Sequence, residues 1–298
     1  MKKIKICPIC TKDTFNFRFS CKDYSASKEN FTIVNCNSCN FTFTNPRPEE
    51  EDLGKYYVSD NYISHTNTSK GLFEILYQIV RKYAIVQKLR LVKKYSKTKR
   101  HLDIGCGTGE FLNACKTAGF KTKGIEPSKT ARMQAINNYN LDVSENTDLS
   151  QFDKASFETI TMWHVLEHVP DLNKTIECFS RILEKNGAII IAVPNLESWD
   201  ANYYREYWAA WDVPIHLWHF SKRSISSLFK RWGFKLVKTK PMVFDSFYVS
   251  ILSEKYKSGE KKLLKGFVIG LISNIIAFFS KRGSSSTIYV FRKENGLK

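Results

Sequence analysis

The sequence lacks an apolar run long enough to cross a bilayer, and it contains little proline or glycine. Its longest apolar stretch, residues 266–279, covers 14 residues and is interrupted by Ser273-Asn274, whereas a spanning helix needs about 20. With 8 prolines and 14 glycines in 298 residues, a collagen-like or disordered chain is excluded. No apolar segment follows the basic start at Met1, so no secretory signal is visible. We therefore expect a globular protein of the cytoplasm.

Acidic residues are also few relative to basic ones. The chain has 46 Lys and Arg against 29 Asp and Glu, a formal net charge of +17. Such a balance favours an anionic partner, which could be nucleic acid, a phosphorylated metabolite or a membrane surface. The charge alone leaves these three open.

Cysteine is infrequent, but its placement is informative. Five of the eight cysteines lie in the first 39 residues, and four of them form two C-x₂-C knuckles separated by 25 residues. In a reducing compartment, clustered cysteines bind metal rather than form disulfides. Four thiolates on two such turns suit a tetrahedral structural Zn²⁺. The prediction is a zinc ribbon over residues 1–45, whose ligands are Cys7, Cys10, Cys36 and Cys39.

The rest of the chain divides into a linker and a larger domain. Residues 46–95 are interpreted as a linker that ends in an amphipathic helix over 71–94, because apolar side chains recur there at helical spacing. From residue 96 to 298, segments typical of strands alternate with segments typical of helices. This alternation predicts an α/β fold, namely a Rossmann-like, mostly parallel sheet with helices on both faces.

A glycine-rich turn follows the first predicted strand of this domain. The run Asp103-Ile-Gly-Cys-Gly-Thr-Gly109 allows the backbone to turn sharply and to approach a ligand closely. A dinucleotide fingerprint would have glycine where Glu110 stands, and that carboxylate would repel a pyrophosphate, so NAD is disfavoured. Glu126 follows 17 residues after Gly109, at the spacing where an acid binds ribose hydroxyls.

These residues together resemble the cofactor motif of class I S-adenosylmethionine-dependent methyltransferases. The stretch 157–171, which contains Leu166-Glu-His-Val-Pro-Asp171, resembles the fourth strand and following loop of the branch containing ubiquinone-biosynthesis O-methyltransferases and saccharide methyltransferases. The resemblance implies S-adenosyl-L-methionine as cofactor, with the glycine turn at its methionine part, Glu126 at its ribose and residue 164 beside its sulfonium. The implied cofactor-site residues are Asp103, Gly105, Gly107, Gly109, Glu126 and His164.

An aromatic segment over residues 196–234 holds five of the six tryptophans. The resemblance implies that this insertion covers the acceptor pocket as a lid. Within it, His216 is the candidate general base, because an imidazole titrates in the range useful for removing a hydroxyl proton. The alternative is that His216 only holds the lid by hydrogen bonds, and His219 is interpreted as structural. The ribbon together with Asn45-Pro-Arg-Pro48 resembles zinc-bearing bacterial methyltransferases, including deoxysugar C-methyltransferases.

A second insertion, over residues 253–282, places lysines around an apolar run. This pattern fits a cationic amphipathic helix in a membrane interface, and it equally fits packing on the sheet or a homodimer seam.

The predicted function is S-adenosylmethionine-dependent methyl transfer by in-line displacement to a small-molecule acceptor. The acceptor would be a saccharide, a glycolipid or a quinone-like hydroxyl, or a carbon atom, and a nucleotide-linked sugar or lipid-linked glycan would carry it. The alternative is an RNA or DNA methyltransferase that binds nucleic acid through the basic surface and the zinc ribbon.

Overall fold

A computed structural model describes residues 1–57, 72–280 and 282–294. Residues 58–71, which belong to the predicted linker over 46–95, lie outside the described residues. The described chain forms two β-sheets. Its strands are β1 (Phe15–Lys22), β2 (Asn30–Cys36), β3 (Thr42–Thr44), β4 (Arg100–Ile104), β5 (Lys121–Ile125), β6 (Val143–Ser144), β7 (Phe157–Trp163), β8 (Leu183–Pro194), β9 (Trp218–His219), β10 (Phe234–Pro241) and β11 (Ser286–Lys293). Its α-helices are α1 (Leu72–Tyr95), α2 (Glu110–Thr117), α3 (Lys129–Tyr139), α4 (Leu172–Ile182), α5 (Trp199–Tyr204), α6 (Lys222–Lys230), α7 (Asp245–Ser258) and α8 (Leu263–Phe279).

The larger sheet has the strand order β10-β11-β8-β7-β4-β5-β6. Strands β4 to β8 pair in parallel, while β11 pairs antiparallel with β8 and β10 antiparallel with β11. The order reverses between β4 and β7, and ligands of open α/β sheets bind in the crevice at such a switch point. The predicted Rossmann-like, mostly parallel sheet is confirmed.

Strand β8 shows why this sheet needs helices on both faces. Its residues Ile189, Ile191 and Val193 pack into one apolar cluster, and the alternating Ala188, Ile190 and Ala192 pack into another. Successive side chains of a strand point to opposite faces, so a strand that is apolar at every position must be covered twice. Helices α4 and α6 supply apolar residues on the first face, and α1 and α2 on the second.

The smaller sheet joins the N-terminal segment to the lid. Its order is β1-β2-β3-β9, all antiparallel, and β9 comes from residues 218–219 of the predicted lid. The pairing places Thr42 opposite His219 and Phe43 opposite Trp218. The cysteine-bearing segment and the lid therefore share backbone hydrogen bonds.

Between β10 and β11, the second predicted insertion is a helical hairpin formed by α7 and α8. It begins at Asp245, eight residues before the predicted start at 253. Within the described ranges, no helix is both long and apolar enough to cross a membrane.

Candidate active site

The glycine turn connects β4 to α2 at the switch point of the larger sheet. Gly105, Gly107 and Gly109 have φ values of +70°, +55° and +86°, which glycine adopts readily. A Cβ on Gly105 would lie 2.3 Å from Val165, and one on Gly109 would lie 2.7 Å from Ala135. A Cβ on Gly107 would meet no described atom within 4 Å. Packing thus explains the outer two glycines, whereas Gly107 faces open space into which a ligand can fit.

Glu126 stands at the carboxyl end of β5, directly beside this turn. Its carboxylate accepts hydrogen bonds from the backbone N–H groups of Gly107 and Ser128, both at 2.9 Å. Burial raises the pKa of Glu126, and the two N–H donors oppose that rise by stabilising the anion. Each carboxylate oxygen keeps a lone pair free, so the fixed side chain can accept from two adjacent ribose hydroxyls. A carboxylate acceptor held in this position fits the ribose of S-adenosylmethionine.

Asp103 lies at the end of β4, beneath the turn. Its Oδ1 accepts a hydrogen bond of 2.5 Å from the hydroxyl of Thr161. Burial raises the pKa of Asp103 to about 7, although the Thr161 hydrogen bond acts in the opposite direction. A carboxyl group poised in this way is well suited to receive a cationic ligand group.

His164 occupies the first position after β7, with a positive φ of 57°. Its Nε2 lies 2.9 Å from Oδ2 of Asp245 at the start of α7, and its Nδ1 lies 3.3 Å from Oε1 of Glu167. Burial by itself would lower the pKa of His164, but these two carboxylates outweigh it and raise the pKa to about 10. His164 is therefore an imidazolium that ties α7 to the loop after β7, and its predicted contact with the cofactor stays a prediction.

The predicted base, His216, lies in a buried group with Glu167 and His168, which we call the Glu167 cluster. One ligand-type atom from each residue lies within 4.8 Å of the others. Nδ1 of His216 lies 2.9 Å from the carbonyl oxygen of Ala210, and Nδ1 of His168 lies 3.0 Å from that of Ile215. Carbonyls only accept, so the Nδ1 atoms are the donors in these two bonds. The hydroxyl of Tyr57 also lies 3.0 Å from Nδ1 of His168.

The third member of the cluster is a buried acid. Glu167 has no exposed surface, and its Oε2 has no hydrogen-bond partner among the described residues. Desolvation lowers the pKa of His168 to about 3, so that ring is neutral. The cluster thus brings two imidazoles beside a buried carboxylate, one oxygen of which has no hydrogen-bond partner among the described residues. Such an arrangement attracts a proton donor or a cation, and a divalent metal ion is one cation that two imidazoles and a carboxylate can hold.

The N-terminal sheet contacts both His216 and His219. The hydroxyl of Thr44, on β3, donates to the carbonyl oxygen of His216 at 2.9 Å and lies 3.1 Å from Nε2 of His219. Burial lowers the pKa of His219 well below its usual range, so this ring is neutral and structural in its contacts. The lid tryptophans Trp208 and Trp211 are fully buried, which makes them part of the lid core.

Three residues at this site could not be identified from the sequence. Glu167 lay within the recognised loop motif, and only its burial beside two imidazoles singles it out. Asp245 and Lys88 come from distant helices, and the Nζ of Lys88 lies 4.4 Å from the ring centroid of Trp163. Burial lowers the pKa of Lys88, while Asp245 and Asp103 oppose the shift. No local pattern marks either of these two residues in the sequence.

The four predicted zinc ligands converge as free thiols. Sγ of Cys7 lies 3.6 Å from that of Cys39, and Sγ of Cys10 lies 3.4 Å from that of Cys36. All four sulfur atoms are within 4.8 Å of one another. Tetrahedral Zn–S bonds of about 2.3 Å would place sulfurs about 3.8 Å apart. The donor set and its spacing therefore fit a structural Zn²⁺.

The cysteine knuckle also contacts the larger domain. The Arg231 guanidinium donates to the carbonyl oxygens of Pro8 and Ile9, at 2.7 and 2.6 Å, and the Asn173 amide donates to that of Pro8 at 3.1 Å. These bonds attach the first knuckle beside α4 and α6.

Two solved structures of similar fold carry the name methyltransferase. A SAM-dependent methyltransferase from Archaeoglobus fulgidus matches 75% of this chain and 100% of its own, with 18% identity and a TM-score of 0.52. Magnesium protoporphyrin IX methyltransferase from Synechocystis PCC 6803, solved with bound SAH, matches 82% of this chain and 100% of its own, with 11% identity and a TM-score of 0.54. At these identities the likeness concerns the fold.

Sequence relatives agree with the fold. Ubiquinone biosynthesis O-methyltransferase of Paraburkholderia phymatum is 33% identical over 104 residues, which are 33% of this chain and 45% of that protein. The Pelagibacter ubique protein of the same name is 33% identical over 113 residues, or 36% and 47%. The match thus spans less than half of each relative. A family model described as a methyltransferase domain matches residues 77–239, more than half of the chain. The chain therefore belongs to the methyltransferase-domain family, as its resemblance to class I S-adenosylmethionine-dependent methyltransferases predicted.

Proposed function

We propose that this protein transfers a methyl group from S-adenosylmethionine to a hydroxyl oxygen of a small-molecule acceptor, and that His216 removes the hydroxyl proton. The observation that carries the proposal is the Glu167 cluster, where His216 lies beside a buried carboxylate whose Oε2 has no hydrogen-bond partner among the described residues. An acceptor hydroxyl can donate a hydrogen bond to such a group. The loop that carries Glu167 and His168 begins at His164, so the cluster lies next to the cofactor edge of the sheet.

Bound S-adenosylmethionine would supply an electrophilic methyl group on a positively charged sulfur. The side chains of this protein would then align the acceptor and accept its proton as the new oxygen–carbon bond forms. The electron pair of the broken sulfur–carbon bond stays on sulfur, and the hydroxyl proton passes to Nε2 of His216. The resulting imidazolium would be stabilised by Glu167 and by Asp212, whose Oδ2 lies 3.9 Å from that nitrogen.

The proposed acceptor is a small hydroxyl compound, such as a saccharide, a glycolipid or a quinone-like phenol. The two curated relatives described above are named ubiquinone biosynthesis O-methyltransferase, which supports oxygen over carbon or nitrogen as the methylated atom.

The first test identifies the acceptor class. Purified protein is incubated with radiolabelled S-adenosylmethionine and cell extract fractionated into RNA, DNA, lipid, glycan and small molecules. Label in the lipid, glycan or small-molecule fraction supports the proposal. Label in RNA or DNA would instead assign the +17 charge to nucleic-acid binding and overturn it.

The second test concerns His216. His216→Gln should lower turnover by roughly 10²–10⁴-fold, the usual contribution of a general base, while calorimetry should show nearly unchanged cofactor binding. His219→Gln is the matched control, since it removes a neighbouring buried imidazole that bonds only to the N-terminal sheet.

Two outcomes would contradict the assignment of His216. If His216→Gln weakens cofactor binding and thermal stability while turnover at saturation persists, the residue holds the lid and is not the base. If EDTA abolishes turnover and added Mg²⁺ or Mn²⁺ restores it, the Glu167 cluster holds a metal ion, and the hydroxyl is activated by that ion.

A further inference from the structure

In helix α8, the small residues Gly266, Gly270 and Ser273 face the protein, and most of the large apolar residues face outward. Gly266 and Gly270 contact α7 so closely that an added Cβ would lie 2.5 Å from Cα of Ile251 and 2.8 Å from Cα of Phe247, respectively. Ser273, on the same side, is fully buried. The usual surface helix buries its large apolar side chains instead. Ile269 is buried as well, and Phe267 stacks on Phe247 of α7 with ring centroids 4.7 Å apart. Most of the large apolar side chains of α8 nevertheless remain exposed.

The outward side chains form one continuous strip, which we call the apolar face of α8. Eight large apolar residues are exposed there, with exposed fractions from 43% for Val268 to 83% for Phe278. Single exposed apolar residues are ordinary, but a contiguous set of this size marks an interaction surface. Its members are Leu263, Leu264, Phe267, Val268, Leu271, Ile275, Phe278 and Phe279.

Lysines surround one end of this face. Five lysines lie within residues 255–265, at the turn between α7 and α8, and all are exposed: Lys255, Lys257, Lys261, Lys262 and Lys265. Acidic residues in this turn region are Glu254, which is buried and pairs with Lys265 at 3.1 Å, and Glu260. The rim of the apolar face thus carries strong positive charge.

We propose that the apolar face of α8 docks on the surface of an anionic lipid bilayer, with its lysine rim on the lipid headgroups. An apolar helix face next to a cationic rim is the arrangement that binds in the plane of a membrane interface. Each lysine near an anionic surface strengthens such binding by about fivefold. Helix α8 has 17 residues and so rises about 25 Å, and its inner side is already committed to α7.

Charge favours a bilayer over a second copy of the chain as the occupant. Most homodimer interfaces are two-fold symmetric and present the same patch from both subunits. Each of two copies joined through this face would bring five exposed lysines and a single exposed carboxylate, Glu260, from this turn, so the interface would carry excess positive charge. An anionic bilayer offers both the apolar layer and the opposite charge.

The docked helix would also orient the active site. The first residue of α7, Asp245, pairs with His164 at the cofactor edge, and α7 also packs against α8. A bilayer beneath α8 therefore lies one helical layer from the proposed site, a suitable position for a lipid-linked acceptor. The docking itself is independent of the proposed function, because it requires neither cofactor nor acceptor.

The test is co-sedimentation of the full chain with lipid vesicles. One set of vesicles is phosphatidylcholine alone, and in the other about a third of the lipid is phosphatidylglycerol. We expect binding to the anionic vesicles, weakened by salt, and little binding to the neutral ones. Leu264→Ser/Phe278→Ser/Phe279→Ser should weaken binding by roughly 10–100-fold. These three side chains are about 80% exposed, so their replacement should leave the fold intact, which circular dichroism checks.

Matched controls separate docking from general electrostatics. Phe17→Ser/Met133→Ser/Val237→Ser removes three exposed apolar residues elsewhere and should leave vesicle binding unchanged. Lys255→Gln/Lys261→Gln/Lys262→Gln should weaken binding by about 100-fold, whereas Lys154→Gln/Lys185→Gln/Lys230→Gln, with the same net charge, should have a much smaller effect.

Three results would overturn the proposal. The first is no binding of the parent to anionic vesicles. The second is equal loss in the variants of the face and in their controls, which would assign binding to overall charge. The third is a dimer in sedimentation velocity that the Leu264/Phe278/Phe279 variant dissociates while vesicle binding persists, which would assign the face to a second copy.

Discussion

The two halves of the proposed site are assembled in different ways. The cofactor edge comes from one continuous stretch, residues 103–126, which runs from the end of β4 through the glycine turn to the end of β5. The acceptor side is assembled from four distant pieces: β3, the loop after β7, the lid and the start of α7. Thr44 and His216 are separated by 172 residues, yet share a hydrogen bond.

This difference predicts how each half responds to change. A substitution in the glycine turn should act on the ligand directly and leave distant parts of the fold alone. A change in the cysteine cluster should reach His216 through β3 and β9, although it touches neither cofactor nor acceptor. The following three predictions test that contrast.

The largest effect is expected for Gly107→Val. A branched Cβ there would occupy the open space of the turn, so we expect S-adenosylmethionine affinity, measured by calorimetry, to fall more than about 100-fold. The positive φ adds a backbone strain of about 1–2 kcal/mol. Gly259→Val is the matched control, because Gly259 also has a positive φ and open space around its Cβ but lies at the end of α7.

Equal losses of affinity in these two variants would show that strain, and not lost ligand space, explains the effect. Unchanged cofactor affinity in Gly107→Val would remove the glycine turn from the cofactor site.

An intermediate effect is expected for removal of the proposed zinc. Metal analysis of the parent should give about one zinc per chain, and Cys36→Ser should lose it. Because β3 pairs with β9, we expect turnover to fall several-fold while cofactor affinity stays nearly constant. Cys21→Ser is the control, since Cys21 is buried but lies outside the cysteine cluster.

Full zinc in Cys36→Ser would show that the ligand set is wrong. Loss of cofactor binding in parallel with the loss of zinc would show that the two halves of the site are not separable.

The smallest effect is a pH dependence of stability from His164. Its raised pKa of about 10 means that the folded state holds the proton more tightly than the unfolded state, whose value is about 6.5. The stabilisation is therefore complete below about pH 6.5 and is lost as pH rises towards 10. The side chain is 34% exposed, so the loss should be only about 1 kcal/mol.

Urea unfolding of the parent and of His164→Gln at pH 6.5, 8 and 9.5 checks this prediction. The difference between the two proteins should shrink as pH rises. A difference that is constant or grows with pH would mean that His164 is not held as an imidazolium.

Several features could be predicted from sequence because they depend on neighbouring residues. Strand β7, over Phe157–Trp163, lies within the recognised stretch 157–171, and its first six residues are buried, as in a parallel strand covered on both faces. The glycine turn was recognisable because a sharp turn against a ligand restricts residue type at each step. The convergence of the four cysteines was predictable because each C-x₂-C pair is itself a local turn.

Other features needed the tertiary structure. The bond of Asp245 to His164 joins residues 81 positions apart, and an aspartate at a helix start looks like an ordinary N-terminal acid. The pairing of β3 with β9 involves strands of three and two residues, which are too short to leave a period in the sequence.

Local residue patterns were enough to predict the α/β class and the cofactor turn, and the two C-x₂-C pairs were enough to predict the cysteine cluster. Long-range packing placed the cysteine-bearing segment in one sheet with the lid, brought Glu167 beside two imidazoles, and turned most large apolar side chains of α8 outward. The last case shows the physical reason. The composition of α8 fits burial or exposure equally, and the choice depends on α7, whose backbone contacts Gly266 and Gly270 too closely for any larger side chain.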